Sequence, residues 1–300
     1  MSITVYLPLL IAALFAVVGP ILARRLPPGS ATWMLSVGAV VLAAATAAAL
    51  ALLALPLAAQ LPVLARQGGW SAPVLAAHDP VRPPIAVTAL VALVGLGLAT
   101  GRGLIGEVAA LRRSYRLAAD LPAAGQLTIV DTGGPDAFVV PGRPGRIVVS
   151  PSVLRALDGR QRRALLAHER AHLINRHHLH LLATELAATA NPLLRSVHRA
   201  SRLSCERWAD EAAAAVAGRS GAAAALARAG QLGAAVPVRP RLAAAVTDVE
   251  LRLSALSRPA PRPISSWRLI VPLLLLVVCG LALGNAAAEA HALLELAQKR

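Results

Sequence analysis

Residues 165–173 read Leu-Leu-Ala-His-Glu-Arg-Ala-His-Leu, with two histidines four positions apart and a glutamate directly after the first. The run reads as helix, and about 3.6 residues per turn places His168 and His172 on one face, one above the other. Two neutral imidazoles so placed can share one Zn²⁺. Glu169 lies about 100° round the helix, where it can reach a water beside the metal but not the metal itself. Zinc makes such a water more acidic, and a carboxylate there can take its proton and later hand it to a leaving amine. The pattern predicts zinc-dependent hydrolysis, with His168 and His172 as ligands and Glu169 as base.

A catalytic zinc needs a third protein ligand, and two residues compete for the place. His178 stands six residues after His172, the metzincin spacing. That class requires a helix-breaking glycine between them, where this chain has Asn175, and a later methionine turn, whereas the methionines here are Met1 and Met34. The other candidate is Glu206, at the start of an Ala-rich helical run with Asp210 one turn later on the same face. A carboxylate ligand on a second helix, backed by a carboxylate that holds an imidazole's other N–H, meets the demands of such a centre. The neighbouring Cys205 side chain would point about 100° away from Glu206. Glu211 is expected to be exposed, and His177, His178 and His180 to support the site or lie on the surface. His198, Arg207 and Tyr115 are the candidates for a donor that stabilises the developing oxyanion.

The elements that position these residues are bounded by composition. Of the 300 residues, 56 % are hydrophobic, 3 % aromatic and 15 % charged, a balance that implies membrane spans rich in Ala, Leu and Val. The net charge is +15, and Lys299 is the one lysine beside the arginines. Such charge suits an anionic lipid surface, and without a nucleic-acid-binding signature it predicts no nucleic-acid partner. Cys205 and Cys279 fall in different parts of the chain, which excludes a disulfide framework. Apolar stretches at 3–22, 31–61, 85–105 and 269–288 are expected to be four transmembrane helices. The first lacks a basic leader and reads as a retained span. Nine flanking basic residues (Arg24, Arg25, Arg102, Arg112, Arg113, Arg116, Arg258, Arg262, Arg268) collect on one side, and four (Arg66, Arg82, Lys299, Arg300) on the other. The more basic side is expected to be cytoplasmic, with both termini outside. Three domains follow: spans at 1–103, a cytoplasmic zinc metalloprotease domain at 104–266, and a fourth span with a short tail at 267–300.

Within 104–266, residues 107–119 read as helix, and 126–131, 137–140 and 146–150 as three short strands separated by Gly/Pro turns. Asp158 with Gln161 three residues later makes a capping-box spacing for the motif helix. Residues 179–190 stay apolar until Asn191-Pro192. They are too short to span, which leaves burial or the bilayer surface. The fold class is α+β and mainly helical: four transmembrane helices, a small β-sheet and a zincin-like domain around the HExxH helix.

His168-Glu-Arg-Ala-His172, then Asn175-Arg176-His177, then Glu206-x-x-Ala-Asp210 resembles the gluzincin membrane proteases. These include the HtpX and CAAX-prenyl-protease family and the beta-lactam sensor-transducer peptidases. The resemblance covers about 130–256 and implies that His168, His172 and Glu206 bind one zinc, with Glu169 as base and Asp210 supporting a ligand. Ala137-Phe138 and the strand at 146–150 are similar to the substrate-binding edge strand of that group, so an extended substrate is expected to add beside 146–150. The four-span layout is similar to the sensor-transducers. Only twelve residues follow Ala288, so no extracellular sensor domain is expected. HtpX-type proteins usually place two spans after the zinc motif, where this chain shows one. The implied activity is endoproteolysis at the cytoplasmic membrane face of a bacterial cell, on a protein or peptide substrate. Regulatory cleavage of a cytoplasmic repressor, disposal of damaged membrane proteins, and an inactive scaffold are the alternatives. The intact Glu169 argues against the last of these.

Overall fold

A computed structural model describes residues 3–79, 81–121, 125–131, 133–134, 136–234, 242–261 and 267–298. After a 3-10 turn at Ile3–Tyr6, the charge-free run forms α1 (Leu7–Arg25), whose last turn holds Arg24 and Arg25. There the two cations complement the helix dipole. α2 (Pro28–Ala59) opens with proline in its first turn, where a missing N–H costs nothing. Short helices α3 (Pro62–Gly68) and α4 (Ala72–His78) follow, and α5 runs unbroken from Pro83 to Asp120. The expected span at 85–105 and the expected helix at 107–119 are therefore one element, since no proline interrupts them. The helix passes straight through position 103/104.

Strands β1 (Leu127–Ile129), β2 (Ala137–Val140) and β3 (Arg146–Val149) form a sheet in the order β1-β3-β2. β1 lies parallel to β3 and β2 antiparallel to it. β3 is thus paired on both sides, which corrects the expectation of a substrate edge at 146–150. The edge next to the motif helix is β2.

α6 (Pro151–Ala156) is capped by the Ser150 hydroxyl, which accepts from the Val153 N–H. α7 (Gly159–Ile174) begins with the expected capping box: Asp158 accepts from the Arg160 and Gln161 N–H groups, and the Gln161 side chain accepts from the Asp158 N–H. Arg176, at φ 49°, breaks the chain between α7 and α8 (His177–Ala190). A left-handed residue without a glycine is costly and must be held by its surroundings. A 3-10 turn (Pro192–Leu194) leads to α9 (Arg195–Ala234), which bends at Gly218, φ 70°. α10 (Leu242–Leu256) and α11 (Trp267–Gln298) complete the fold.

Four helices are long and apolar enough to cross a membrane: Ile3–Arg25, Pro28–Ala59, Pro83–Asp120 and Ile270–Gln298. Arg262, Lys299 and Arg300, which enter the charge argument, lie outside the described residues. α2 is the central helix, packed by α1, α5, α8, α9 and α11. Around it Phe15, Met34, Leu42, Leu194, Val197 and Cys279 make one apolar cluster. Residues 179–190 are packed on α2 and α5 rather than free.

Candidate active site

α7 brings His168, Glu169 and His172 to the face on which α9 packs. The Nε2 atoms of His168 and His172 stand 3.2 Å apart. From α9, Glu206 Oε2 lies 3.6 Å from His168 Nε2, and Oε1 lies 3.7 Å from His172 Nε2. A tetrahedral zinc with bonds of about 2.0–2.2 Å separates its ligand atoms by roughly 3.3–3.6 Å. The imidazole nitrogens and the two Glu206 oxygens that face them stand within about 0.1 Å of that range, and the three residues form a group that can hold a metal ion.

Each donor is held from behind. Asp210, one turn after Glu206, places Oδ1 3.1 Å from His168 Nδ1. The His172 Nδ1 is 2.9 Å from the Nδ1 of His177, the first residue of α8. Arg252 of α10 donates through Nε and Nη2 to both Asp210 oxygens, at 2.7 Å each, and its Nη1 lies 2.9 Å from Glu206 Oε2. The paired guanidinium fork fixes two carboxylates at once, a geometry lysine cannot supply.

The electrostatics favour a positive charge between these groups. Burial works against charging His168, but hydrogen bonds to Asp210 and Glu206 raise its pKa to about 9. The Glu206 side chain is 37 % exposed. What burial it has disfavours its charge, yet His168 and Arg252 hold its carboxyl well below the usual range. Asp210 is lowered in the same way, against its burial, by Arg252 and His168. Burial lowers His172 to about 4, which keeps that imidazole neutral and its Nε2 lone pair free. Burial pushes the Glu169 carboxyl up, with His168 opposing. Glu169 and His168 line a cavity of about 280 Å³, together with Leu165, Arg252 and, from the β2 side, Asp136 and Ala137.

The structure brings His168, Glu169, His172, Glu206 and Asp210 together as expected, and separates the competitors. His178 lies outside the donor group and lines a second cavity with Tyr115, Arg143 and Arg176. The reason is local: Asn175 is not left-handed (φ −85°), and the break falls at Arg176, so α8 restarts with His177 toward the site. Cys205 is buried and outside the donor group. Glu211 is half-buried and not exposed as expected, and it pairs with Arg219 at 2.8 Å. None of the suggested oxyanion donors lines the cavity: His198 bonds Thr184, Arg207 reaches the Ala23 carbonyl, and Tyr115 is in the second cavity. His180 bonds Ser36 on α2.

Arg252 was not anticipated. Its one signal is that it is the sole basic residue in the run 242–256. His177 was anticipated only as one of a cluster, because its contact with His172 depends on the break at Arg176.

No curated protein and no solved structure matches the chain. Residues 106–190 match the model of Peptidase family M48. That stretch runs from the end of α5 through the sheet, α7 and α8, and stops short of Glu206, Asp210 and Arg252, which reach the centre through packing of α9 and α10. The segment that folds the two-histidine helix is thus similar to peptidase family M48.

Proposed function

We propose that this protein is a membrane-bound zinc endopeptidase that cleaves protein chains at the cytoplasmic face of the membrane, with His168, His172 and Glu206 as ligands. The observation that carries this reading is the convergence of those three donors beside a buried Glu169 that lines a cavity. Zinc held there would polarise the scissile carbonyl and make water more acidic. Glu169 then takes the proton from the attacking water and returns it to the leaving nitrogen; burial moves its pKa toward that task. Asp210 and His177 orient the two imidazoles through their Nδ1 atoms, and Arg252 keeps both carboxylates in place. An extended substrate adds along the free edge of β2, with its scissile bond above Glu169. The basic flanks of the spans favour an inward-facing site and both termini outside.

The substrate proposed is one specific protein, with a cytoplasmic repressor as the foremost candidate partner. The test compares membrane and cytosolic proteomes of cells carrying wild type or Glu169→Gln. Fragments of one or a few proteins present only with wild type support regulatory cleavage. Broad changes among membrane proteins support quality control, and identical proteomes in cells where the protein is made and zinc-loaded overturn proteolysis.

A further inference from the structure

α8 does not lie across the end of the helix bundle but runs down its central member. His180 Nδ1 is 3.0 Å from Ser36 Oγ, and Asn191 Nδ2 is 3.0 Å from Thr46 Oγ1. Both partners advance together, so α8 follows α2 in parallel for about 15 Å at about 1.5 Å per residue. The turn after α8 then places Leu194, fully buried, in one cluster with Ala12 and Leu42. On the return, Ser196 Oγ donates to the Ala16 carbonyl at 2.6 Å and Arg207 Nη1 to the Ala23 carbonyl at 3.4 Å. The turn is therefore level with the middle of α1, roughly 13 Å below Arg25. At that level α1 exposes Leu10, Leu14, Val17 and Ile21, an apolar face suited to lipid.

The outward face of α9 at this depth is of the opposite character. Arg195, Arg199 and Arg202 are exposed at spacings of four and three, and Glu206 follows four later, so all four share one helix face. Among the described residues none of the three arginines is in an ion pair. Helical side chains lean toward the N-terminus, here toward the turn, so Arg195 leans deeper and not toward the surface. An arginine at such depth is costly in hydrocarbon and is found against water or within the bundle. Glu185, exposed on α8, adds a further charge nearby.

We infer that α8 and the first turns of α9 form a re-entrant hairpin reaching the middle of the bilayer, whose Arg195–Arg199–Arg202 face is a water-filled track ending at Glu206. The track is roughly 16 Å long, the length of about five residues of extended chain. Its use as the path by which a chain reaches the metal centre from the membrane rests on the proteolytic reading above; its hydration does not.

The test uses the full chain in lipid vesicles, with Cys205 and Cys279 replaced by alanine and one cysteine introduced at a time. Arg195→Cys, Arg199→Cys, Leu14→Cys and Ser220→Cys are treated with a membrane-impermeant maleimide, and zinc content verifies that each variant is folded. Arg195→Cys and Arg199→Cys should react from the side that labels Ser220→Cys, within about tenfold of its rate, and Leu14→Cys about a hundredfold more slowly. Arg195→Cys as slow as Leu14→Cys means a dry face and overturns the track. Leu14→Cys as fast as Arg195→Cys means that this level lies outside the hydrocarbon and overturns the hairpin, as does labelling from the opposite side only. A nitroxide on Leu193→Cys, at the exposed turn, gives a second reading. Preferential access to oxygen over an aqueous nickel complex, as deep as at Leu14→Cys, is expected, and a shallow value overturns the inference. None of these readouts requires peptidase activity.

Discussion

Asp210 and His177 stand behind the two imidazoles, one on each. Asp210→Ala removes a hydrogen bond from His168 and leaves Arg252 half-unpaired, so metal affinity should fall by roughly 10- to 100-fold. Glu206→Ala and His172→Ala each remove a donor atom and should cost more than that, to a similar degree. His178→Ala should leave zinc content unchanged; an empty site in that variant, with zinc retained in Glu206→Ala, would reverse the ligand assignment. Glu169→Gln should keep both fold and metal but lose turnover, because an amide neither takes nor returns the proton. A pH dependence follows from His168, raised to about 9. A raised pKa stabilises the metal-free chain fully below about 6.5, and that stability is lost as pH rises through 9. Zinc binding must displace this proton, so uptake at pH 7–8 should release about one proton. Titration calorimetry in two buffers of different ionisation heat measures it, and no buffer dependence would contradict the proton's place on His168.

At the scale of elements, the motif helix is placed by two contacts of different kinds. α9 supplies the carboxylates, and the edge of the sheet is the docking line proposed for substrate. The Ser150 N–H donates to the Asp136 carbonyl, so by alternation Phe138 and Val140 bond across to β3. Ala137 and Val139 then turn their N–H and C=O groups to the free edge. Ala137 also lines the cavity with Glu169. Ala137→Pro deletes one outward N–H at the first strand position, where proline is tolerated. It should lower kcat/KM for a peptide by about tenfold, the worth of one hydrogen bond, with zinc content and melting temperature preserved. Unchanged kcat/KM would remove β2 as the substrate edge.

At the scale of the whole molecule, α2 organises both halves. It packs the long apolar helices α1, α5 and α11 and, on its remaining side, α8 and α9, so the candidate metal centre is joined directly to the helices suited to a membrane. Trp208, two residues from Glu206, packs over Gly29 at the start of α2, with a Cβ there only 3.0 Å from the indole. Gly29→Val should therefore displace α9 from α2 and reduce zinc occupancy without touching a ligand. Sidedness is tested by reporters fused after Ser220 and after Arg300. The first should read as cytoplasmic and the second as external, and finding both on one side would remove the four-span arrangement.

Local pattern alone determined how α7 begins and which of its residues share a face. The four-residue spacing of His168 and His172, the adjacent Glu169 and the Asp158–Gln161 cap all follow from helix geometry within one segment. The long apolar runs likewise marked the four helices suited to a membrane, because hydropathy and length need no partner. The Glu206–Asp210 spacing was visible as one helix face, though not what it faces. Tertiary structure alone decided that question, and also that Arg252 binds both carboxylates across 42 and 46 residues of chain. It decided that β2 and not β3 is the edge strand beside the motif helix, because strand order is a matter of pairing and not of composition. It also set α8 along α2, where Asn191 meets Thr46 at a separation of 145 residues. Periodicity reports which face of an element is apolar; only packing reports what that face meets.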